Sequence, residues 1–143
     1  GAMRIERYFD PVEQSMGDEI VFATDGERVF RELGPTVPVR VARRLLAQFG
    51  IDSAKVALVG HQVSPMLLQA WIEQLGVEES FSTVDRLGSA GPASVAASLA
   101  KAWATCGAEY ILAIQLGWGI HFTATLFARH GSRPRNPDTG AAT

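Results

Sequence analysis

The sequence predicts an α/β fold: a mostly parallel mixed sheet with one antiparallel end strand, and helices packed on it. Three observations carry this expectation. Short apolar runs alternate with longer helical patterns along most of the chain, the order that gives strand–helix–strand units with right-handed crossovers. The helical patterns open near a proline and close at a glycine, the usual asymmetry of helix ends. The last two apolar runs are separated only by the turn around Gly117-Trp118-Gly119, and so short a connection joins antiparallel neighbours.

Taken in order, residues 4–18 carry no clear period. A strand is expected over Ile20 to Ala23, then a turn at Asp25-Gly26 and a second apolar stretch. GPTVPVRVARRLLAQFG reads as a helix, with Pro38 near its first turn and Gly50 just past its end. Val41, Leu45, Leu46 and Phe49 share one face; Arg40, Arg43, Arg44 and Gln48 tend to the other. KVALVG is a short apolar strand. SPMLLQAWIEQLG is a second helix, with Ser64 as N-cap, Pro65 in the first helical position and Gly76 as its stop. Its apolar stripe is Leu68, Trp71, Ile72 and Leu75. FSTVDRLG reads as a strand and a turn, GPASVAASLAKAWATCG as a third helix, and EYILAIQLGWGIHFTATLFARH as the closing strand pair.

The opening Gly1-Ala2-Met3 reads as a remnant of tag cleavage. One domain is therefore expected over residues 4–130, followed by a flexible polar tail over 131–143. A chain of 143 residues can bury a proper core, and 47% hydrophobic with 20% charged residues is an ordinary globular composition. The net charge of −2 supplies no electrostatic ground for binding nucleic acid or an anionic membrane. Basic residues cluster in VRVARRLLAQ and RHGSRPR, which read as a solvated helix face and a solvated tail. The single cysteine, Cys106, allows neither an intrachain disulfide nor a cysteine-based zinc site, so no metal is expected. A reducing, cytoplasmic setting fits this usage. No run of about 18 apolar residues is present to span a membrane.

The third helix is unusual. Between Pro92 and Cys106 the only charged residue is Lys101, and alanines, Val95, Leu99 and Trp103 occupy all sides. A helix apolar all round is expected to be buried all round. One sheet covers one side only. A second layer must then come from another copy, a partner subunit or a further part of the same polypeptide. The alternative is an alanine-rich helix whose small side chains are tolerated in solvent.

In a parallel sheet, three loops leave the carboxyl edge on the same side and converge. They carry His61, the run Asp85-Arg86-Leu87-Gly88-Ser89, and Gly117-Trp118-Gly119. A histidine beside a helix N-terminus tends to stay neutral. Neutral imidazole can donate a hydrogen bond to an oxygen gathering charge, which suits acyl transfer or enolate formation. A capping or core histidine is the plainer alternative. His61, Asp85 and Ser89 are also the residue types of a serine triad, but no Gly-x-Ser-x-Gly elbow accompanies them.

Four segments together resemble the β-ketoacyl-acyl-carrier-protein synthase III family. VGHQVSPMLLQAWIEQLGV is similar to the family's His-Gln-Ala-Asn segment. VDRLGSAGPASVAASLAKAW is similar to the segment holding its active-site asparagine and a small-residue helix. LAIQLGWGIHFTATLF resembles its closing glycine-rich hairpin, and DGERVFRELGPTVPVRVARRLLAQFGI the stretch upstream of the histidine. The resemblance covers most of residues 18–129 in the right order. It implies the C-terminal half of a thiolase-type fold, a layered α-β-α-β-α arrangement with its central helices buried between two sheets.

The resemblance also implies roles. His61 falls on the catalytic histidine and Ser89 on the catalytic asparagine; in the family these two hold the thioester oxygen of the extender during decarboxylation and condensation. Gly117, Trp118 and Gly119 fall on the turn that lines the oxyanion pocket, and Gln62 and Ser64 beside the substrate's pantetheine arm. The nucleophilic cysteine belongs to the family's N-terminal half, whereas Cys106 falls at the far end of the third helix. The substrates implied are coenzyme A or acyl-carrier pantetheine thioesters, with no tightly bound cofactor. The partners implied are the N-terminal half, on the same chain or a separate subunit, an acyl carrier protein or acyl-CoA, and a homo-oligomer or heterodimer. Four departures stand out: serine for the asparagine at Ser89, serine for another asparagine at Ser64, Met66 where a docking arginine sits, and Trp118 for the middle glycine. These losses leave open a second reading, a non-catalytic thiolase-like module for dimerisation or partner binding.

Overall fold

A computed structural model describes residues 3–10, 15–22, 24–62, 64–88, 91–117 and 121–129. The chain opens with an antiparallel pair, β1 (Met3–Asp10) and β2 (Ser15–Phe22), in which Met3 faces Phe22 and Asp10 faces Ser15. This pair forms its own two-stranded sheet. The sequence showed no period over residues 4–18 because Arg7-Tyr8-Phe9 breaks the alternation of a half-buried strand. The turn expected at Asp25-Gly26 is also corrected. Both residues lie in the first turn of helix α1 (Thr24–Leu33). Thr and Asp suit a helix start, where glycine does little harm, and Phe30 and Leu33 recur at helical spacing.

Helix α2 (Val37–Gln48) begins with Pro38 inside its first turn. Its buried line is Pro38, Val39, Ala42 and Leu46, while Val41, Leu45 and Phe49 are half-buried. The inward face is thus rotated from the expected one, because α2 packs against both the next helix and the last strand. A short 3-10 turn (Ser53–Lys55) leads into β3 (Val56–Gly60), every residue of which is buried. Helix α3 (Pro65–Leu75) follows, buries Leu67, Leu68, Trp71 and Leu75, and ends at Gly76. Then come β4 (Glu79–Phe81), the single turn α4 (Val84–Leu87), α5 (Pro92–Thr105), β5 (Tyr110–Gly117) and β6 (His121–Ala128).

The main sheet has the order β4-β3-β5-β6. β3 runs parallel to β4 and β5, and β6 runs antiparallel to β5 with Gly117 opposite His121. The mixed sheet expected from the sequence is therefore present; the strand placed at Ile20–Ala23 is not one of its members. α2 and α3 cover one face. Their side chains join Val56, Leu58, Tyr110, Leu112 and Ile114 in the larger core cluster. Burying each of these large side chains is worth roughly 1.5–3 kcal/mol. The Trp71 indole N–H donates to the Gly34 carbonyl at 2.8 Å, so the largest core residue has no unpaired polar atom. Helix α5 covers the opposite face, packing Val95, Ala102 and Cys106 on Ala57, Val59, Ile111 and Ala113.

The outward side of α5 consists of Ala93, Ala96, Ala100, Lys101, Trp103, Ala104 and Thr105, all exposed. Trp103 is 41% exposed and meets Phe127 edge-on. At the C-terminal end of α5 the turn into β5 is tied down from both sheet edges. The Glu79 carboxylate of β4 accepts from the Gly107 and Ala108 N–H groups at 3.0 and 3.1 Å. The Arg129 guanidinium, just past β6, donates to the carbonyls of Cys106 and Ala108. Among the described residues no helix is long and apolar enough to cross a membrane. The tail expected over residues 131–143 lies outside the described residues.

Candidate active site

The end of β3 defines the candidate site. At Gly60 helix α3 crosses the strand so closely that a β-carbon would lie 2.3 Å from Leu68 Cδ1 and 3.4 Å from the Trp71 ring. A side chain at this position would have to push Leu68 aside, so glycine lets α3 sit closely over the strand end from which His61 emerges. The His61 backbone N–H donates to the Ile114 carbonyl at 2.8 Å, extending the β3–β5 ladder one residue past the strand. His61 is thus fixed to the centre of the sheet at its carboxyl edge. Its imidazole is half-buried, and burial pushes its pKa below the ordinary 6.5. The ring is neutral at pH 7, with one nitrogen donating and the other accepting.

β5 continues three residues beyond Ile114 to Gly117, about 10 Å at the rise of a strand. Gly117 and its partner His121 therefore stand beyond the level of His61 on the same edge. Trp118 and Gly119 lie outside the described residues. So does Ser89, but its flanks are described. α4 ends at Gly88 (φ 62°, ψ −159°) and α5 is capped by Gly91 (φ 56°, ψ −130°). Residues with side chains avoid both conformations, so glycine is required at each of these two flanking positions. Asp85, between Thr83 and Ser89 in the chain, is exposed.

Ser64 holds the N-cap position of α3 in an extended conformation, half-buried, but its hydroxyl makes no capping bond. Met66, two residues on, is 82% exposed. Gln62 behaves differently from expectation. It is 3% exposed, and its amide turns into the protein, where it meets Thr83 and Ser98. Both amide donors of Gln62 are thus taken up internally, away from the substrate-arm position expected for it.

Thr83, Ser94 and Ser98 carry no motif that marks them in the sequence. The available signal was the pair of serines four apart, on one face of a helix with a single charge. Cys106 is buried at the C-cap of α5, fourteen helical residues from the Ser89 end, about 20 Å along the axis. It lies away from the His61 edge, as the sequence implied. Among the described residues no group of three or more His, Cys, Asp or Glu side chains could hold a metal ion.

No family model and no curated protein matches this sequence. Solved structures do match the fold. The priming β-ketosynthase of a polyketide biosynthetic pathway superposes with a TM-score of 0.69 at 23% identity, over 89% of this chain and 40% of that one. The β-ketoacyl-[acyl carrier protein] synthase III of Thermus thermophilus gives 0.67 at 22% identity, over 89% and 42%. The 3-oxoacyl-(acyl carrier protein) synthase III of Pseudomonas aeruginosa gives 0.63 at 22%, over 89% and 43%. The chain thus has the expected part of a thiolase-type fold and spans about two fifths of the length of the structures it matches.

Proposed function

We propose that this chain is the C-terminal half of a ketosynthase III-like enzyme, acting on coenzyme A or carrier-protein thioesters by acyl transfer or Claisen condensation. The observation that carries the reading is His61: a half-buried, neutral imidazole at the carboxyl edge of a parallel sheet, in a fold shared with solved ketosynthases. In such a condensation the extender loses carbon dioxide, and the electron pair of the broken C–C bond moves onto the thioester oxygen. An N–H from neutral His61 stabilises that oxygen. Ser89 assists with one hydroxyl proton. The backbone of Gly117, Trp118 and Gly119 lines the oxyanion turn, and Ser64 approaches the pantetheine arm. The enolate carbon then attacks an acyl thioester on a cysteine of the other half, and the cysteine thiolate leaves.

Two features support a contribution from outside this chain. Cys106 is the chain's one cysteine and is buried away from the His61 edge. The outward side of α5 is exposed and, apart from Lys101 and Thr105, made of alanines and Trp103, the surface that a completing half would cover. The test pairs two measurements. With radiolabelled acetyl-CoA, the isolated chain takes up no covalent label and turns nothing over. In the assembly with its completing half, His61→Ala lowers condensation by about 10²–10³-fold, the usual loss of one oxyanion donor. Labelling of the isolated chain would refute the split, and unchanged condensation in the variant would leave a non-catalytic partner module as the better account.

A further inference from the structure

We propose that Gln62, Thr83 and Ser98 form a positioning lock that holds the His61 loop against helix α5. The Gln62 amide nitrogen donates to the Thr83 hydroxyl oxygen at 3.0 Å and to the Ser98 hydroxyl oxygen, and lies 3.5 Å from the Ser94 carbonyl. Its amide oxygen accepts from the Thr83 hydroxyl at 3.3 Å, and the Thr83 and Ser98 hydroxyls are 3.3 Å apart. The two amide protons are consumed by the two hydroxyls. No buried side-chain nitrogen or oxygen among the described residues lacks a partner.

The three members come from the three segments that meet at this edge. Gln62 follows His61 directly. Thr83 stands at the N-cap position of α4, the turn that precedes the Ser89 segment in the chain. Ser98 lies one turn after Ser94 on α5, the helix that begins just beyond that segment. The buried side of α5 that holds Ser94 and Ser98 also holds Val95 and Ala102, so apolar side chains are compatible with this face. A buried amide stays only where every partner is met, and a half-satisfied cluster costs more than an apolar one. The cluster therefore admits one placement of the loop, and with it one placement of His61. As a statement about catalysis this rests on the ketosynthase reading. As a statement about His61 it is measured on the chain itself, so the two fail separately.

The test is an NMR titration of the His61 ring in the whole 143-residue chain. The wild-type ring titrates below 6.5 because the loop holds it half-buried. Gln62→Ala and Thr83→Val release the loop, move the midpoint up toward 6.5, and speed exchange of the His61 amide proton by tenfold or more. Thr83→Ser, which keeps the hydroxyl, restores both. Cys106→Ala weakens packing at the other end of α5 and leaves both at wild-type values. The lock is refuted if Thr83→Val titrates as the wild type, if Thr83→Ser fails to rescue, or if Cys106→Ala shifts His61 equally. Should Gln62→Ala fail to fold, the Thr83 pair decides alone, since valine and threonine are nearly equal in shape. In the assembled enzyme, Thr83→Val lowers kcat with KM little changed, whereas loss of condensation activity altogether in the wild type would count against the ketosynthase reading only.

Discussion

The two faces of the main sheet are built from side chains of different size. Toward α2 and α3 the sheet presents Leu58, Leu112 and Ile114, and the helices answer with Trp71, Leu67, Leu68, Leu75 and Leu46. Toward α5 it presents Ala57, Val59 and Ala113 beside Ile111, and the helix answers with Val95, Ala102 and Cys106. The first face is a finished core with its outer helix surfaces polar, as at Arg40, Arg44 and Gln48. The second brings α5 close through small residues, interleaves the polar side chains of Gln62, Ser94 and Ser98, and leaves exposed an outer side made mostly of alanines and Trp103. Stability resides mainly on one side of the sheet, and the candidate chemistry with its supporting polar cluster on the other.

The tryptophans on the two sides offer the largest test of that division. Trp71 is fully buried, whereas Trp103 is 41% exposed with Phe127 as its ring neighbour. In urea unfolding, Trp71→Ala is expected to lose about 3–5 kcal/mol through the cavity it leaves. Trp103→Ala in the same chain is expected to lose about 0.5–1.5 kcal/mol, the worth of an edge-on ring pair. Equal losses would erase the distinction. An intermediate effect is expected at the seam. Gly60→Ala places a methyl group 2.3 Å from Leu68 Cδ1, and turning Leu68 aside in a packed core costs about 1–3 kcal/mol. The same change shifts the start of α3 and the His61 resonances, whereas an unshifted His61 would detach the site from that contact.

The smallest effect is a pH dependence. Burial lowers the His61 pKa in the folded chain below 6.5. Above 6.5 the stabilisation from keeping the ring neutral is fully present. As pH falls, the unfolded chain takes up a proton first, and that stabilisation is lost progressively down to the folded value. Urea midpoints between pH 7.5 and 5.5 should therefore drop more for the wild type than for His61→Asn. Parallel profiles for the two proteins would show that the site edge adds nothing to folding.

How much of this was legible follows from how each segment announces itself. α3 and α5 are marked by apolar runs of the right length between proline and glycine, and β3 and the β5–β6 pair by short apolar runs between glycines, so these elements announce themselves. α1 is obscured because Asp25-Gly26 is a strong turn signal, and only the spacing beyond it reveals the helix. The face of α2 was misplaced by about one residue because its contacts with α3 and β6, not its own pattern, choose the inward line. His61 was legible from its place after a buried strand. The role of Gln62 was not: a polar residue beside a candidate catalytic group reads as ligand-facing, and nothing local reveals that the Ser98 hydroxyl and the Ser94 carbonyl of α5, more than thirty positions on, receive its amide.

The stitching of the α5–β5 turn has its own consequence. Glu79 and Arg129 belong to opposite margins of the sheet, yet both grip the same short bend. The bend acts as a drawstring that sets the breadth of the sheet at its amino end. With the hem gathered there, the loops of the opposite rim rest on strands held together from below.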